Sequence, residues 1–180
     1  MTFEEVISGL VGEATDRALA LYELAKTGEI SMHEFVEMLV TLIEHSRGVA
    51  TVEANKVLLN YLLEETPTPF EFTPLIPDRD PESNVNAVNT ILEDDEGQDM
   101  RVARLVRGEI TDAAHSTYTA TLETIPHVTG WKRGLESDAC QLCRWWSRNG
   151  RVWPKDHRMP RHTGCMCHQI PVTRNGGNHE

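Results

Sequence analysis

"TFEEVISGLVGEATDRALALYELAKTGEISMHEF", residues 2–35, decides the fold class. Thr2 followed by Glu5 has the S/T-x-x-E form of a capping box, so a helix should begin at Phe3. Phe3, Val6, Ile7, Leu10, Val11, Ala14, Ala18, Leu21 and Ala25 then recur at steps of three and four, one apolar stripe on a helix. Gly28 stands where a helix C′ glycine belongs, and Ser31 with Glu34 repeats the capping box. Two helices joined by so short a turn read as an antiparallel hairpin.

The second helix should run from about Met32 to Leu63. Phe35, Val36, Leu39, Leu42 and Ile43 form its first apolar face, and Val57, Leu58, Tyr61 and Leu62 the later one. Gly48 is a candidate break or bend, because glycine is a poor helix former. Residues 1–64 are thus expected to form an N-terminal helical hairpin. Next comes "ETPTPFEFTPLIPDRDP", residues 65–81, with prolines at 67, 69, 74, 77 and 81. Proline lacks a backbone donor and fixes φ, so this is an extended arm or linker. A pure spacer would not need Phe70, Phe72, Leu75 and Ile76. The arm should therefore lie along a surface, with a neighbouring subunit as the candidate.

Asp80-Pro81 is a good helix start, a cap residue followed by proline at the first helical position. Residues 82–130 form the next expected unit. It holds a helix to Leu92, an acidic break at 93–99, and a helix from about Met100 to Leu122. Val102, Leu105, Val106, Ile110, Ala113 and Ala114 supply that last helix's apolar face, and Arg101, Arg104 and Arg107 line one side. The fold class expected is mainly α: an elongated helical hairpin plus further helices, with a small C-terminal zinc-stapled module. Residues 175–180 read as a disordered tail.

Composition narrows the class. Apolar residues make up 39% of 180 and aromatics 6%, so the core should be aliphatic and thin. No run of about 18 apolar residues suggests a membrane span, and "MTFEEVISGL" lacks the basic region of a signal peptide. A cytoplasmic site of synthesis is the expectation. Disulfides are rare there, so clustered cysteines point to metal or redox chemistry. The net charge of −11 is uneven: residues 1–99 carry 21 acidic and 5 basic side chains, and residues 100–180 carry 7 and 12. An acidic body with a basic end can face partners of opposite sign.

All four cysteines fall between 140 and 167. Cys140 and Cys143 are spaced C-x2-C, Cys165 and Cys167 are spaced C-x-C, and His162 precedes Cys165 by three. Zinc takes four nitrogen or sulfur ligands in a tetrahedron, and a C-x2-C turn sets two thiolates on one side of the ion. A segment too small and too basic to bury much apolar surface gains most from such a staple. Five donors compete for four places: Cys140, Cys143, His162, Cys165 and Cys167. Four cysteines are the simplest set, and His162 replacing Cys167 is the main variant. His157 and His168 are expected to cap or shield the site. Redox C-x2-C chemistry is the competing reading, but no thioredoxin-like βαβ pattern surrounds the motif. Trp131, Trp145, Trp146 and Trp153 serve either as the module's core or as stacking surfaces for bases. In the second case Arg144, Arg148, Arg151, Lys155, Arg158 and Arg161 would grip phosphate.

"GWKRGLESDACQLCRWWSRNGRVW" with "MPRHTGCMCHQIPV" resembles the C-terminal module of the Mu F-like minor head (minor capsid) proteins of tailed bacteriophages. The pattern is carried by Trp131, Asp138, Cys140, Cys143, Gly150, His162, Cys165, Cys167, Pro171 and Val172, and the likeness covers about residues 100–174. It implies a low-copy structural virion protein, without enzymatic activity, at or near the portal vertex inside the capsid, aiding head assembly or DNA packaging and ejection. The ligand count and spacing predict one structural Zn2+ per chain. Expected partners are the portal protein, the major capsid protein and copies of the chain itself. Weak non-specific DNA contact would run through Arg101, Arg104, Arg107, Arg144, Arg148 and Arg151, with no membrane contact. The alternatives are an HNH-like zinc-containing nuclease and a nucleic-acid-binding regulator. "DHRMPRH" superficially fits the nuclease, but His162 follows His157 by only five residues and leaves no room for its loop and helix. A charge of −11 and no recognition-helix pattern count against the regulator.

Overall fold

The computed structural model describes residues 1–66, 69–76, 82–93 and 96–174. The hairpin forms as its caps dictate. Helix α1 spans Phe3–Thr27 and α2 spans Met32–Glu65. Glu5 N donates to Thr2 Oγ1 at 3.2 Å, and Thr2 N donates to Glu5 Oε2 at 2.8 Å. The box at Ser31 and Glu34 closes in the same way. Gly28 adopts φ 78°, which lets its N–H reach Ala25 O and turns the Glu29 N–H onto Leu24 O. Helix α2 runs unbroken through Gly48, contrary to the break considered at that position. Tertiary packing on both sides outweighs the weak helix propensity of one glycine.

Two more long-range elements complete the helical body. Helix α3 spans Glu82–Leu92 and α4 spans Gln98–Thr124, starting two residues before the sequence expectation. The Asp80-Pro81 start signal, three of the arm's prolines and the 175–180 tail lie outside the described residues. Helices α1, α2 and α4 pack against one another, and α3 rests on α2 and α4. Phe35, Leu39, Ile43, Ala50, Ala54, Leu58 and Leu62 of α2 are buried, as are Val102, Val106, Ile110, Ala114, Tyr118 and Leu122 of α4. Small side chains at Ala50, Ala54 and Ala114 let the two helices approach. Two polar contacts cross that seam: Asn55 Nδ2 donates to Thr117 Oγ1 at 2.9 Å, although Asn55 Oδ1 is buried without a partner among the described residues, and Arg47 Nη1 donates to Glu109 Oε2 at 2.6 Å.

Residues 69–76 of the proline-rich arm form neither helix nor strand, and part of this stretch lies against the chain's own core. Phe70 and Phe72 pack against the main core, and Phe70 meets His127 edge-on at 4.8 Å between ring centres. Leu75 N donates to Thr121 Oγ1 at 2.9 Å, and Thr117 Oγ1 donates to Leu75 O. The threonine face of α4 supplies the partners that the arm's isolated backbone lacks.

After α4 the chain forms strand β1, Val128–Gly134, helix α5, Gln141–Ser147, strand β2, Trp153–Pro154, and strand β3, His168–Thr173. They make an antiparallel sheet in the order β2-β1-β3, with Trp131 opposite both Trp153 and Pro171. Strand β1 begins at Val128, ahead of the boundary placed at residue 131. Ile125, Val128 and Met166 belong to the same apolar cluster as the helices, so module and body share one core. Among the described residues no helix is long and apolar enough to cross a membrane.

Candidate metal centre

Cys140 is the N-cap of α5, and its Sγ accepts from Cys143 N at 3.5 Å. A helix start thus turns the C-x2-C pair inward, leaving Cys140 exposed and Cys143 fully buried. The opposing donors come from a tight turn in which Cys165 N donates to His162 O at 3.2 Å. Gly164 sits at φ 75° in that turn. A Cβ there would also press on the Arg107 side chain, 2.8 Å from its Cδ, so glycine is doubly required. The turn aims the His162 ring and the Cys165 thiol at α5.

Cys140 Sγ lies 3.4 Å from His162 Nε2, and Cys143 Sγ lies 3.3 Å from the same nitrogen. Cys143 Sγ and Cys165 Sγ are 3.4 Å apart. A tetrahedral ion with bonds of about 2.0–2.3 Å needs donor separations of roughly 3.5–3.8 Å. These three separations stand close to that spacing. Glu136, Cys143, His162 and Cys165 bring ligand atoms within 4.8 Å of one another, a group that can hold a metal ion. Cys167 Sγ accepts from Glu136 N at 3.4 Å and lies 3.5 Å from Glu136 Oε1. Of the five donors named from sequence, Cys140, Cys143, His162 and Cys165 share the direct contacts. Cys167 adjoins them with Glu136 beside it.

Electrostatics favour a cation here. Burial pushes the Cys143 thiol up to about 12, and contact with Cys165 together with burial raises Cys167 still further. Bare thiolates in this pocket are unfavourable, and a bound cation's charge reverses that preference. Cys140 is shifted the other way, because the Cys143 backbone N–H stabilises its thiolate.

Three supporting residues escaped the sequence reading. Arg133 is 5% exposed. Its Nη1 donates to Cys143 Sγ at 3.8 Å, its Nη2 donates to Pro160 O, and its guanidinium lies 5.3 Å from the Trp146 ring centre. Glu136 accepts from Met166 N at 3.2 Å and so ties the C-x-C segment to the loop after β1. His115 of α4 places Nε2 2.8 Å from Cys165 O. Burial pushes its pKa down to about 3, so the ring is neutral and carries its proton on Nε2 to make that bond. Only Arg133 left a trace in the sequence, two positions after Trp131 and hence on the same strand face.

The remaining named residues divide between packing and surface. His168 stacks on Phe3 at 5.0 Å and Phe3 in turn meets His115 at 4.9 Å, so His168 packs on α1 instead of shielding the sulfurs. Glu4 accepts from Ser137 N at 3.1 and 3.0 Å and from Ser137 Oγ at 2.6 Å, binding the first turn of α1 to the loop before Cys140. His157 stacks on Trp153 at 4.3 Å, and Trp131 Nε1 donates to the His157 carbonyl at 3.1 Å. Trp131 is core, whereas Trp145 is 58% exposed with Arg148 4.3 Å above it. Arg151 covers Trp153 at 4.3 Å, Arg161 pairs with Asp112 at 2.9 Å, and Lys155 Nζ donates to Ile125 O at 3.3 Å. No protein-family model, curated protein or solved structure matches the chain.

Proposed function

We propose that this chain is a structural minor head protein of a tailed bacteriophage, similar to the Mu F-like proteins. It docks in few copies at or near the portal vertex inside the capsid and aids head assembly or DNA packaging and ejection. The observation that carries the reading is the constellation Trp131, Cys140, Cys143, Gly150, His162, Cys165, Cys167, Pro171 and Val172 in one small unit. The metal is one structural zinc per chain, because soft thiolates with one imidazole at near-tetrahedral spacing suit that ion. Its role is to tie α5 to the His162–Cys165 turn. Four protein donors would close the coordination sphere, as befits a structural site rather than a catalytic one.

The portal protein, the major capsid protein and further copies of this chain are the proposed partners. DNA contact is secondary and non-specific, through Arg101, Arg104 and Arg107 of α4 and Arg144, Arg148 and Arg151 of the module. Such contact draws on phosphate charge alone and should vanish steeply with salt. Cross-linking mass spectrometry of purified virions tests the placement. Cross-links to the portal at low copy number are expected, and absence of the chain from virions would overturn the reading. Metal analysis of reduced, tag-free protein tests the zinc: about one equivalent is expected, and a zinc-free chain with residues 131–174 still ordered would sink that part.

A further inference from the structure

We propose that the groove between the first half of α2 and α3 is a docking site for a basic amphipathic helix of a partner protein. The groove lies on the acidic body, far along the sequence from the cysteines, and the inference does not depend on the head-protein reading. One wall carries Met32, Val36 and Val40 at steps of four along α2. The other carries Val85, Asn89 and Leu92 at i, i+4 and i+7 along α3. Asn84 at the start of α3 donates to Glu44, and Leu92 at its end shares the groove with Met32, so α3 runs back along α2. The two helices enclose a trough of about 800 Å³, with Met32 43% and Val85 38% exposed at its lips.

Two helical stripes side by side form the seat for a third helix, packed ridge into groove. An extended strand is a poorer occupant. The trough is lined by side chains and offers no backbone edge, whereas a helix brings its own hydrogen bonds satisfied. From Met32 to Val40 the seat is roughly 12 Å long at about 1.5 Å per residue, enough for two to three turns of a visitor.

Charge selects the partner's flanks. Residues 29–44 contain Glu29, Glu34, Glu37 and Glu44 and no Lys or Arg, and residues 82–93 contain Glu82 and Glu93 and again no Lys or Arg. Glu34 is engaged in its cap, Glu37, which lines the groove, faces His33 at 3.5 Å, and Glu44 pairs with Arg47 at 3.8 Å, yet acids outnumber Lys and Arg around the groove. An apolar floor between acidic rims accepts apolar anchors bordered by Lys or Arg and repels nucleic acid and anionic lipid.

The probe is a synthetic amphipathic Leu/Lys helix of about five turns, titrated into the full chain with ¹³C-methyl methionine. Its controls are a peptide of the same composition with the leucines spread around the helix and a Leu/Glu counterpart. The Met32 methyl signal should shift with the amphipathic Leu/Lys peptide and stay unmoved by the controls. The double variant Met32→Glu, Val85→Glu adds negative charge, so mere attraction of a cationic peptide would strengthen, while docking in the trough should weaken at least tenfold. Asn89→Leu, which extends the apolar floor, should strengthen binding several-fold and guards against a misfolded double variant. Equal binding of the dispersed-leucine peptide, or tighter binding by the double variant, overturns the proposal. So does a concentration-dependent dimer of the chain alone that the double variant converts to monomer, because the occupant would then be a second copy.

Discussion

Arg133 shows how much of the metal centre depends on residues that are not ligands. Its guanidinium sits between a buried sulfur and a backbone carbonyl, where a neutral side chain would leave both without a donor. Arg133→Met should weaken metal binding by about tenfold or more, in line with other supporting residues around metal sites; competition with a chromogenic chelator measures it. His115→Phe keeps the stacking on Phe3 but loses the bond to Cys165 O, and a similar loss is expected. These two histidine environments also set an acid response. His115 and His168 are held neutral by burial, with pKa values pushed down to about 3 and about 4, against 6.5 in an open chain. As pH falls below 6.5 the unfolded chain takes up protons that the folded one refuses, so stability drops between about pH 6.5 and 4 and is regained above 6.5. His168→Phe should flatten that acid limb in urea midpoints measured from pH 8 to 4; an unchanged slope would mean the ring is not the group responsible. The cysteine pairs and His162 stood out in the sequence because their spacing is a local signal. Arg133, Glu136 and His115 did not, since they reach this cluster from a strand, a loop and a helix, and Glu136 joins the possible donors only in three dimensions.

At the level of elements, legibility followed locality. The hairpin was readable because each capping box and the Gly28 turn lie within a few residues. Ser31→Ala should cost about 1 kcal/mol by thermal or urea unfolding, the usual penalty for a lost N-cap oxygen. The sheet was hidden because β1 reads "VTGWKRG", with two glycines and two cations, and its partners lie over twenty residues away. Those glycines are there for approach. A Cβ at Gly130 would sit well inside contact distance of the Trp153 carbonyl oxygen, and one at Gly134 would meet Ile170 at 3.0 Å. Gly130→Ala should part β2 from β1, lower the melting temperature by several degrees and red-shift tryptophan emission, with Gly134→Ala milder because a side chain can move aside. Residues 69–76 of the arm are non-helical, in keeping with their prolines, but nothing local reveals that Thr117 and Thr121 await the arm's backbone. Phe70 is only partly buried, so Phe70→Ala should destabilise the isolated chain by less than the roughly 3–5 kcal/mol of a fully packed aromatic. An effect confined to assembled particles would favour an intermolecular seat for the arm.

For the molecule as a whole, the division into an acidic helical body and a basic stapled end holds for charge but not for packing. The apolar stripes of the N-terminal helices, taken alone, predict that chelation unfolds residues 131–174 and leaves those helices intact. Phe3 and Glu4 change that outcome. Metal removal should loosen the first turn of α1 as well, because Ser137, His168 and the His115–Cys165 bond hold it in place. Hydrogen exchange on zinc-loaded and chelated protein should show faster exchange at residues 3–8 alongside the module, while Leu39–Leu62 of α2 stays protected; unchanged rates at the first turn would separate the two regions after all. The same contact orders events in time. Phe3 leaves the ribosome early, whereas its partner His168 is made near the end of the chain, roughly 10–30 s later at ordinary elongation rates. Until then the ring has only the α4 side of its seat, His115 and Tyr118, so a nascent chain stalled before β3 should show its leading turn to chaperones and proteases more than a completed one does.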